Sequence, residues 1–139
     1  MRKDRNHAKW VAALVRALQD GTVVDLAPGE KIHLTKANLT KVESWPKSRG
    51  LPGEALRDAL LNSDIKPDPR GLKIRAAYIT GITDLADLRL SLGLQFDSCV
   101  FEQPADWSRL TVASLRLTDC TMSGLTLDHA HKGQVLSVL

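Results

Sequence analysis

Three copies of one pattern stand in the second half of the chain: LKIRAAYI (residues 72–79), LQFDSCVF (94–101) and LRLTDCTM (115–122). Each copy has apolar residues at its first, third, sixth and eighth positions. The segments between the copies repeat with nearly the same spacing, since Leu85, Leu88 and Leu90 recur as Trp107, Leu110 and Val112. A nearly constant period of this kind predicts a repeat architecture, in which each copy stacks on the one before it.

A shorter beat of five residues runs inside the long repeat. Two apolar series follow it: Leu110, Leu115, Cys120, Leu125, Ala130 and Val135, and then Val112, Leu117, Met122 and Leu127. Two inward side chains followed by a polar turn describe one short strand, and four such strands close one square turn of the chain. We therefore predict a mainly β fold, a right-handed quadrilateral parallel β-solenoid of about three coils over residues 71–139. In that fold Leu72 lies under Leu94, and Leu94 lies under Leu115.

Residues 1–70 have a different periodicity and predict a small α/β cap. A helix, two strands, a loop and a second helix are predicted at Asn6–Asp20, Thr22–Leu26, Lys31–Leu34, Trp45–Gly50 and after Pro52. Gly21 stands where the first helix is expected to end, and proline suits the start of the second. We therefore divide the chain into a cap of residues 1–70 and repeats of residues 71–139.

The repeat pattern resembles that of the pentapeptide-repeat proteins, whose consensus is Ala-(Asp/Asn)-Leu-x-x. Ala86-Asp87-Leu88 and Ala37-Asn38-Leu39 match its letters, and the units of residues 110–129 match its spacing. Over roughly residues 8–139, the order of the chain is similar to a bacterial group of such proteins that begins with a cap of helices and strands. Members of that group often carry the label oxidoreductase, which no motif of this chain supports. Large residues replace the family's small inward alanine at many positions, which implies wider or less regular coils.

A leucine-rich repeat is the alternative fold. Residues 112–122 also fit its pattern, and the spacing of the three copies lies within the period of that family. Such a repeat needs a loop or a helix on its return side, whereas Leu125, Leu127, Ala130 and Val135 keep the five-residue beat. The sequence therefore favours the square solenoid.

Composition and charge exclude several classes of protein. Of the 139 residues, 43% are hydrophobic and 25% are charged, so the chain is not wholly disordered, and no apolar run nears the ~20 residues that span a bilayer. The net charge of +3 comes from residues 1–70, which hold 13 Lys or Arg against 9 Asp or Glu, whereas residues 71–139 hold 6 against 7. With only two cysteines and no apolar leader, we expect a cytoplasmic protein.

Cys99 and Cys120 fall on the same side of successive repeats, about one strand spacing apart. That separation is compatible with a disulfide. Both also occupy inward positions, where cysteine acts as a small apolar side chain, and this is the interpretation we favour.

His129 and His131 flank an inward Ala130 and are expected to project outward beside Asp128. Two imidazoles at alternate strand positions can share a metal ion. The sequence offers no third ligand, so a solvated turn is favoured and a metal-dependent enzyme is the third hypothesis for function.

Motifs of nucleophilic catalysis and phosphate binding are absent from the sequence, which has no G-x-S-x-G, no Walker-type loop and no G-x-G-x-x-G. We therefore predict no catalytic residues, no cofactor, no metal site and no enzyme. Asp84, Asp106 and Asp119 recur beside turns, where carboxylates commonly cap backbone N–H groups.

A basic contact surface in the cap makes nucleic-acid binding the second hypothesis for function. Its residues are Lys31, Lys36, Lys41, Lys47 and Arg49. Basic side chains attract phosphates without sequence preference, and a single-strand binder also needs exposed aromatic platforms. Phe96, Phe101 and Trp107 all stand at inward positions, so a solvated surface is favoured.

The C-terminal end of the repeats carries a group of apolar residues with no helix, charge run or proline beside it: Val135, Leu136, Val138 and Leu139. Stacked strands leave an unpaired edge at each end. We expect that this end pairs with a second copy, as a homodimer; the alternative is that the repeats continue in a longer protein. The function that fits best is a non-catalytic protein-interaction module, a rigid scaffold that presents outward side chains to a protein partner.

Overall fold

The computed structural model describes residues 2–29, 50–62, 66, 68–121 and 125–126. Their elements in chain order are α1 (Arg2–Asp20), β1 (Val23–Asp25), β2 (Gly50–Pro52), α2 (Gly53–Leu60), β3 (Leu72–Arg75), β4 (Tyr78–Thr80), β5 (Gly93–Asp97), β6 (Val100–Phe101), β7 (Ala105–Asp106), β8 (Ser114–Thr118) and β9 (Leu125–Thr126). The predicted strand Lys31–Leu34 and residues 45–49 of the predicted loop lie outside the described residues.

Strands from successive repeats pair side by side in parallel. The first sheet has the order β1-β3-β5-β8, the second has the order β2-β4-β6, and β7 pairs with β9 in a third. In the first sheet Leu72 is the register partner of Leu94, and Leu94 is the partner of Leu115. The register predicted from the spacing of the three copies is therefore confirmed.

The segments that return the chain between sheets are residues 84–90 and 106–112, which we call the return segments. They are joined by parallel bridges between Asp84 and Asp106 and between Arg89 and Thr111. In the alternative fold, a leucine-rich repeat, the segments at the positions of these return segments are loops or helices. Backbone hydrogen bonds also join the two segments, among them those from the N–H groups of Leu85 and Asp87 to the carbonyl oxygens of Asp106 and Ser108.

Residues in the left-handed conformation recur twice in each repeat. Within the described residues, the non-glycine positions with positive φ are Ala76, Asp87, Ser98, Arg109 and Asp119, which follow one another at nearly equal intervals. Such left-handed residues bend the backbone sharply and cost about 1–2 kcal/mol each. A left-handed residue of this kind therefore recurs about once in every half repeat.

Large side chains fill the interior of the repeats. Phe96, Phe101 and Trp107 pack together with ring centroids 5.4–6.0 Å apart, and Trp107 is fully buried. Rings at these separations attract one another in stacked and edge-to-face pairs. Leu115 and Cys120 are also buried, as predicted for inward positions.

The first helix ends where the sequence predicts and begins four residues earlier, at Arg2. Gly21 follows it with a φ of +68°, and its N–H donates to the carbonyl oxygen of Ala17 at 2.9 Å. Glycine is preferred at this position because it adopts the left-handed conformation without steric cost. Leu14 and Leu18 from the buried face of the helix join the same core as the repeats.

The second helix begins after Pro52, as predicted, and its Leu56 also enters the core. The predicted loop is wrong at Gly50, because Gly50–Pro52 forms β2 and pairs with β4. An extended segment of three residues has too little pattern to be distinguished from a loop in the sequence. The strand matters because it extends the second sheet into residues that precede the repeats.

The prediction of a mainly β, closed quadrilateral solenoid is wrong. The described residues have an α/β-like architecture, in which two helices accompany parallel strands that fall into separate sheets. The tight square needs small inward residues, and Phe96, Phe101 and Trp107 are too large for it. The helices supply further apolar surface to the same core, so the strands need not enclose it alone.

Candidate functional site

The outer face of the first sheet carries a row of long polar side chains. Lys73 is the register partner of Gln95, and Gln95 is the partner of Arg116. In parallel strands, residues in register lie about 4.8 Å apart and point to the same face. Leu72 and Leu94, the chain neighbours of Lys73 and Gln95, are buried, so the row lies on the face away from the core.

A row of small residues runs beside the polar row. Gly93 pairs with Ser114, and a Cβ placed on Gly93 would lie 2.3 Å from the hydroxyl oxygen of Ser114. Gly71 stacks on Gly93 in turn, and a Cβ on Gly71 would lie 2.3 Å from the carbonyl oxygen of Gly93. The absence of side chains at both glycines lets the three strands stack closely at this point, with the Ser114 hydroxyl lying against Gly93.

The small residues Gly93 and Ser114, at the floor, and the polar row together line a cavity of about 380 Å³ that is open to solvent. We call it the cationic groove, and its lining residues are Arg70, Leu72, Lys73, Gly93, Leu94, Gln95, Ser114 and Arg116. Within the described part of the chain, three of these side chains are cations and none is a carboxylate. The volume falls in the range of about 300–1,000 Å³ typical of small-ligand clefts.

The cations of the groove are poorly neutralised by the described residues. Arg70 lies near Asp68, at 3.9 Å between Nε and Oδ1, and its side chain is 66% exposed. Among the residues that the structure describes, neither Lys73 nor Arg116 forms an ion pair or a side-chain hydrogen bond. The groove therefore has positive charge available for an anionic ligand.

The neighbouring row of the same sheet is arranged differently. Arg75 donates from Nη1 to Asp25 Oδ1 at 2.9 Å and to the carbonyl oxygen of Ala27 at 2.8 Å. These bonds fasten the end of β1 to β3. The Arg75 guanidinium is thus committed to the fold, and the groove ends at this row.

The two cysteines behave as the sequence predicts, as small apolar residues. Cys99 and Cys120 are buried and free, and the thiol of Cys120 donates to the carbonyl oxygen of Phe96 at 3.2 Å. Burial raises the pKa of the Cys99 thiol well above its usual value, because a thiolate there would lose its hydration. The Cys99 position is therefore not suited to thiolate chemistry.

The predicted capping role is confirmed for Asp84 and Asp106. Asp84 Oδ1 accepts a hydrogen bond from the N–H of Ala86 at 3.0 Å, and Asp106 Oδ1 accepts one from the N–H of Ser108 at 3.1 Å. The described residues show no such bond for Asp119, which instead occupies a left-handed turn position.

The other candidates from the sequence belong to parts of the chain that the structure does not describe. The basic contact surface of Lys31, Lys36, Lys41, Lys47 and Arg49 lies outside the described residues, and so do the apolar C-terminal positions Val135, Leu136, Val138 and Leu139. Asp128, His129 and His131 lie outside them too. The described residues contain no group of three or more His, Cys, Asp or Glu side chains that could hold a metal ion.

None of the groove residues was a candidate from the sequence. Within residues 71–139, the charges of Lys73 and Arg116 are offset by carboxylates that lie elsewhere, so the net charge of the region does not indicate a basic site. The repeat alignment contains the missing signal, because it places Lys73, Gln95 and Arg116 at the same position of successive copies. Reading the outward positions column by column would have exposed the row.

Comparison with known proteins adds no functional information. No protein-family model matches the chain, and no curated protein and no solved structure matches it significantly. The resemblance to the pentapeptide-repeat proteins therefore remains a prediction. Neither of the two described helices combines the length and the apolar character needed to cross a membrane.

Proposed function

We propose that the protein is a non-catalytic protein-interaction module that binds an acidic segment of a cytoplasmic protein partner in the cationic groove. The observation that carries the proposal is the lining of the groove, where Arg70, Lys73 and Arg116 surround a cavity without a carboxylate among the described lining residues. Charge complementarity of this kind sets partner preference and speeds association.

The sheet beneath the groove supports a binding role because it is a stiff platform. β3, β5 and β8 are joined by parallel ladders, and their inward residues Leu72, Leu94 and Leu115 are almost completely buried. The backbone positions from which the groove side chains project are thus fixed before binding, which limits the entropy lost on binding to that of the side chains. The outward positions are independent of the core, so their identity is free to serve the partner.

Nucleic-acid binding is the competing function, since phosphates are also attracted to the cations of the groove. Single strands additionally stack their bases on exposed aromatic rings. Phe96, Phe101 and Trp107 are buried and cannot serve as such platforms. An acidic peptide is therefore the better match to the groove.

The test compares ligands and variants in parallel. A fluorescent acidic peptide of alternating Glu and Gly, about ten residues long, is titrated at low salt with wild type, Arg116→Ala and Arg89→Ala. We expect Arg116→Ala to weaken binding about fivefold or more and Arg89→Ala to change it less than about twofold. Arg89 is a matched control because it is an exposed arginine on a return segment, away from the groove.

Two outcomes would overturn the proposal. The first is an equal effect of Arg116→Ala and Arg89→Ala, which would mean that only net charge matters. The second is tighter binding of a duplex DNA than of the peptide, again lost with Arg116→Ala, which would favour the nucleic-acid function. A repeat of the titration with a Lys-Gly peptide, which should not bind, checks that the interaction depends on the sign of the charge.

A homodimer through Val135, Leu136, Val138 and Leu139 remains a separate proposal about the assembly. Equilibrium sedimentation of wild type and of Leu136→Asp tests it, because a charge in an apolar interface should dissociate the dimer. A wild-type monomer at all concentrations would contradict it.

A further inference from the structure

The donors that line the cationic groove outnumber what a carboxylate can use. Arg70 and Arg116 offer forked guanidinium donors, Lys73 offers an ammonium group, and Gln95 and Ser114 offer an amide and a hydroxyl. A carboxylate carries one negative charge and two oxygens. A phosphate monoester carries close to two charges at neutral pH and three terminal oxygens, so it matches three cations and a hydroxyl better.

The shape of the groove points in the same direction. Gly93 has no side chain to shield the Ser114 hydroxyl oxygen, which lies 2.3 Å from the position that a Cβ on Gly93 would occupy. A compact group can therefore approach the sheet closely at this point and still be reached by the longer side chains of Lys73 and Arg116. An extended strand of carboxylates would instead lie across the rim and leave the floor of the groove unused.

We propose that the cationic groove is a phosphate-binding site, and that its occupant is a phosphorylated serine or threonine within the acidic segment of the partner. Arg116, Lys73 and Arg70 neutralise the phosphate, and the Ser114 hydroxyl donates to one of its oxygens from the floor. This inference rests on the proposed function, because it names the group that the same groove recognises. Recognition of a phosphorylated side chain makes binding switchable by phosphorylation of the partner.

The experiment uses four probes on the full chain. They are one acidic peptide carrying a single phosphoserine, the same peptide with serine, the same peptide with glutamate, and inorganic phosphate. We expect the phosphoserine peptide to bind about tenfold more tightly than the serine peptide and several-fold more tightly than the glutamate peptide. Inorganic phosphate should bind more weakly than the phosphoserine peptide, because it lacks the flanking acidic residues.

Variants locate the site. Arg116→Ala should remove most of the phosphoserine advantage, whereas Arg89→Ala should keep it. Ser114→Ala should weaken the phosphoserine peptide about threefold and leave the glutamate peptide unchanged, because only the compact phosphate reaches the floor of the groove. Thermal unfolding of each variant establishes that it is folded, and Ser114→Ala serves as a mild second variant if Arg116→Ala proves unstable.

The pH dependence separates the two anions. Phosphoserine loses its second charge near pH 6, whereas glutamate stays ionised down to about pH 4.3, so the phosphoserine advantage should shrink between about pH 7.5 and pH 5. The charged groups that face the ligand are Arg70, Lys73 and Arg116, and Asp68 lies beside Arg70. A sulfated peptide, whose charge is constant, should show no such change.

The outcomes distinguish this inference from the proposed function. Equal affinity for the phosphoserine, serine and glutamate peptides, with loss in Arg116→Ala, would overturn the phosphate site and leave the acidic-peptide function intact. Absence of binding by every peptide would overturn both. Inorganic phosphate that binds as tightly as the phosphoserine peptide would overturn the assignment to a phosphorylated partner.

Discussion

The outward charges on the first sheet, which we call the sheet side, and on the return segments, which we call the return side, have different surroundings. On the first sheet, Lys73 and Arg116 have no charged partner among the described residues and face a groove. On the return segments, Asp84, Asp87 and Asp106 are all engaged, with Arg57, Arg109 and Ser108 respectively. The comparison shows that Lys73 and Arg116 are available to a ligand, whereas these three aspartates are engaged within the fold.

The difference follows from how each side holds its backbone. Continuous backbone ladders join β3 to β5 and β5 to β8, so this part of the sheet is held mainly by backbone hydrogen bonds. The return segments have isolated bridges and left-handed residues at Asp87 and Arg109. Backbone bonds such as that from the Asp87 N–H to the Ser108 carbonyl oxygen join the segments. Carboxylates satisfy the N–H groups of Ala86 and Ser108, and the Arg57 guanidinium satisfies two further carbonyl oxygens, so these charged groups are engaged within the fold.

The largest effect is expected where the sheet side is most crowded. Gly71 has a φ of +76°, and a Cβ there would lie 2.3 Å from the backbone carbonyl oxygen of Gly93. Gly71→Ala should therefore destabilise the protein by about 3 kcal/mol or more, through strain and backbone displacement together. Urea unfolding followed by circular dichroism measures the loss.

Gly93→Ala is the matched comparison for Gly71→Ala. Its Cβ would meet only the Ser114 hydroxyl, which can rotate to another rotamer, and Gly93 lacks the positive φ of Gly71. The stability should stay within about 1 kcal/mol of wild type, while the floor of the groove is filled. Equal losses in the two variants would show that the stacking of Gly71 on Gly93 is not as tight as described.

An intermediate effect on stability is expected from a comparison of Arg57, which contacts a return segment, with Arg116 on the sheet side. Arg57 Nη1 donates to the carbonyl oxygens of Asp84 and Ala86 at 3.0 and 3.2 Å, which fastens α2 to a return segment. Arg57→Ala should cost about 1.5 kcal/mol because these acceptors lose a charged donor. Arg116→Ala should change stability by less than about 0.5 kcal/mol, since it removes an exposed side chain without a described partner.

Thermal and urea unfolding of both variants, with Arg57→Lys as an intermediate case, checks this contrast. Lysine keeps the charge but cannot reproduce the planar fork, so it should recover only part of the loss. A cost for Arg116→Ala equal to that of Arg57→Ala would mean that the groove cations hold the fold, and it would weaken the division between the two sides.

The sequence was sufficient for the register of the sheet side and insufficient for the overall architecture. Matching positions of the apolar residues place Leu72, Leu94 and Leu115 in one column, because parallel strands in register point equivalent side chains to the same face. The closure of the strands depends on how large rings such as Phe96 and Trp107 pack together in space. That packing, and the joining of α1 and α2 to the same core, cannot be inferred from a repeat period in the sequence.

The groove could be predicted only in part for the same reason. Alignment of the copies places Lys73, Gln95 and Arg116 in one outward row. The contribution of Arg70 depends on the path of the chain before Gly71, and the depth of the groove depends on the close stacking of Gly71 and Gly93. Those distances depend on the tertiary structure and cannot be inferred from the sequence alone.

The smallest effect is a pH dependence confined to the return side. The hydroxyl of Ser108 donates to Asp106 Oδ1 at 2.5 Å, and this bond, with that from the Ser108 N–H, holds the pKa of the Asp106 carboxyl below its usual value. A carboxyl with a lowered pKa in the folded state stabilises the fold fully above its unfolded pKa of about 3.9 and loses that contribution as the pH falls through the folded pKa.

Ser108→Ala should raise the pKa of Asp106 toward its usual value and make the protein slightly less stable near neutral pH. The stability gap between wild type and Ser108→Ala should be constant above about pH 5 and should narrow at lower pH, because protonation removes the advantage of the carboxylate in both proteins. Carboxyl NMR titration reports the pKa, and urea unfolding at about pH 6 and about pH 2.5 reports the gap. A gap that is the same at both values would mean that Ser108 acts through packing rather than through Asp106, and the return side would then owe less to its carboxylates than its hydrogen bonds indicate.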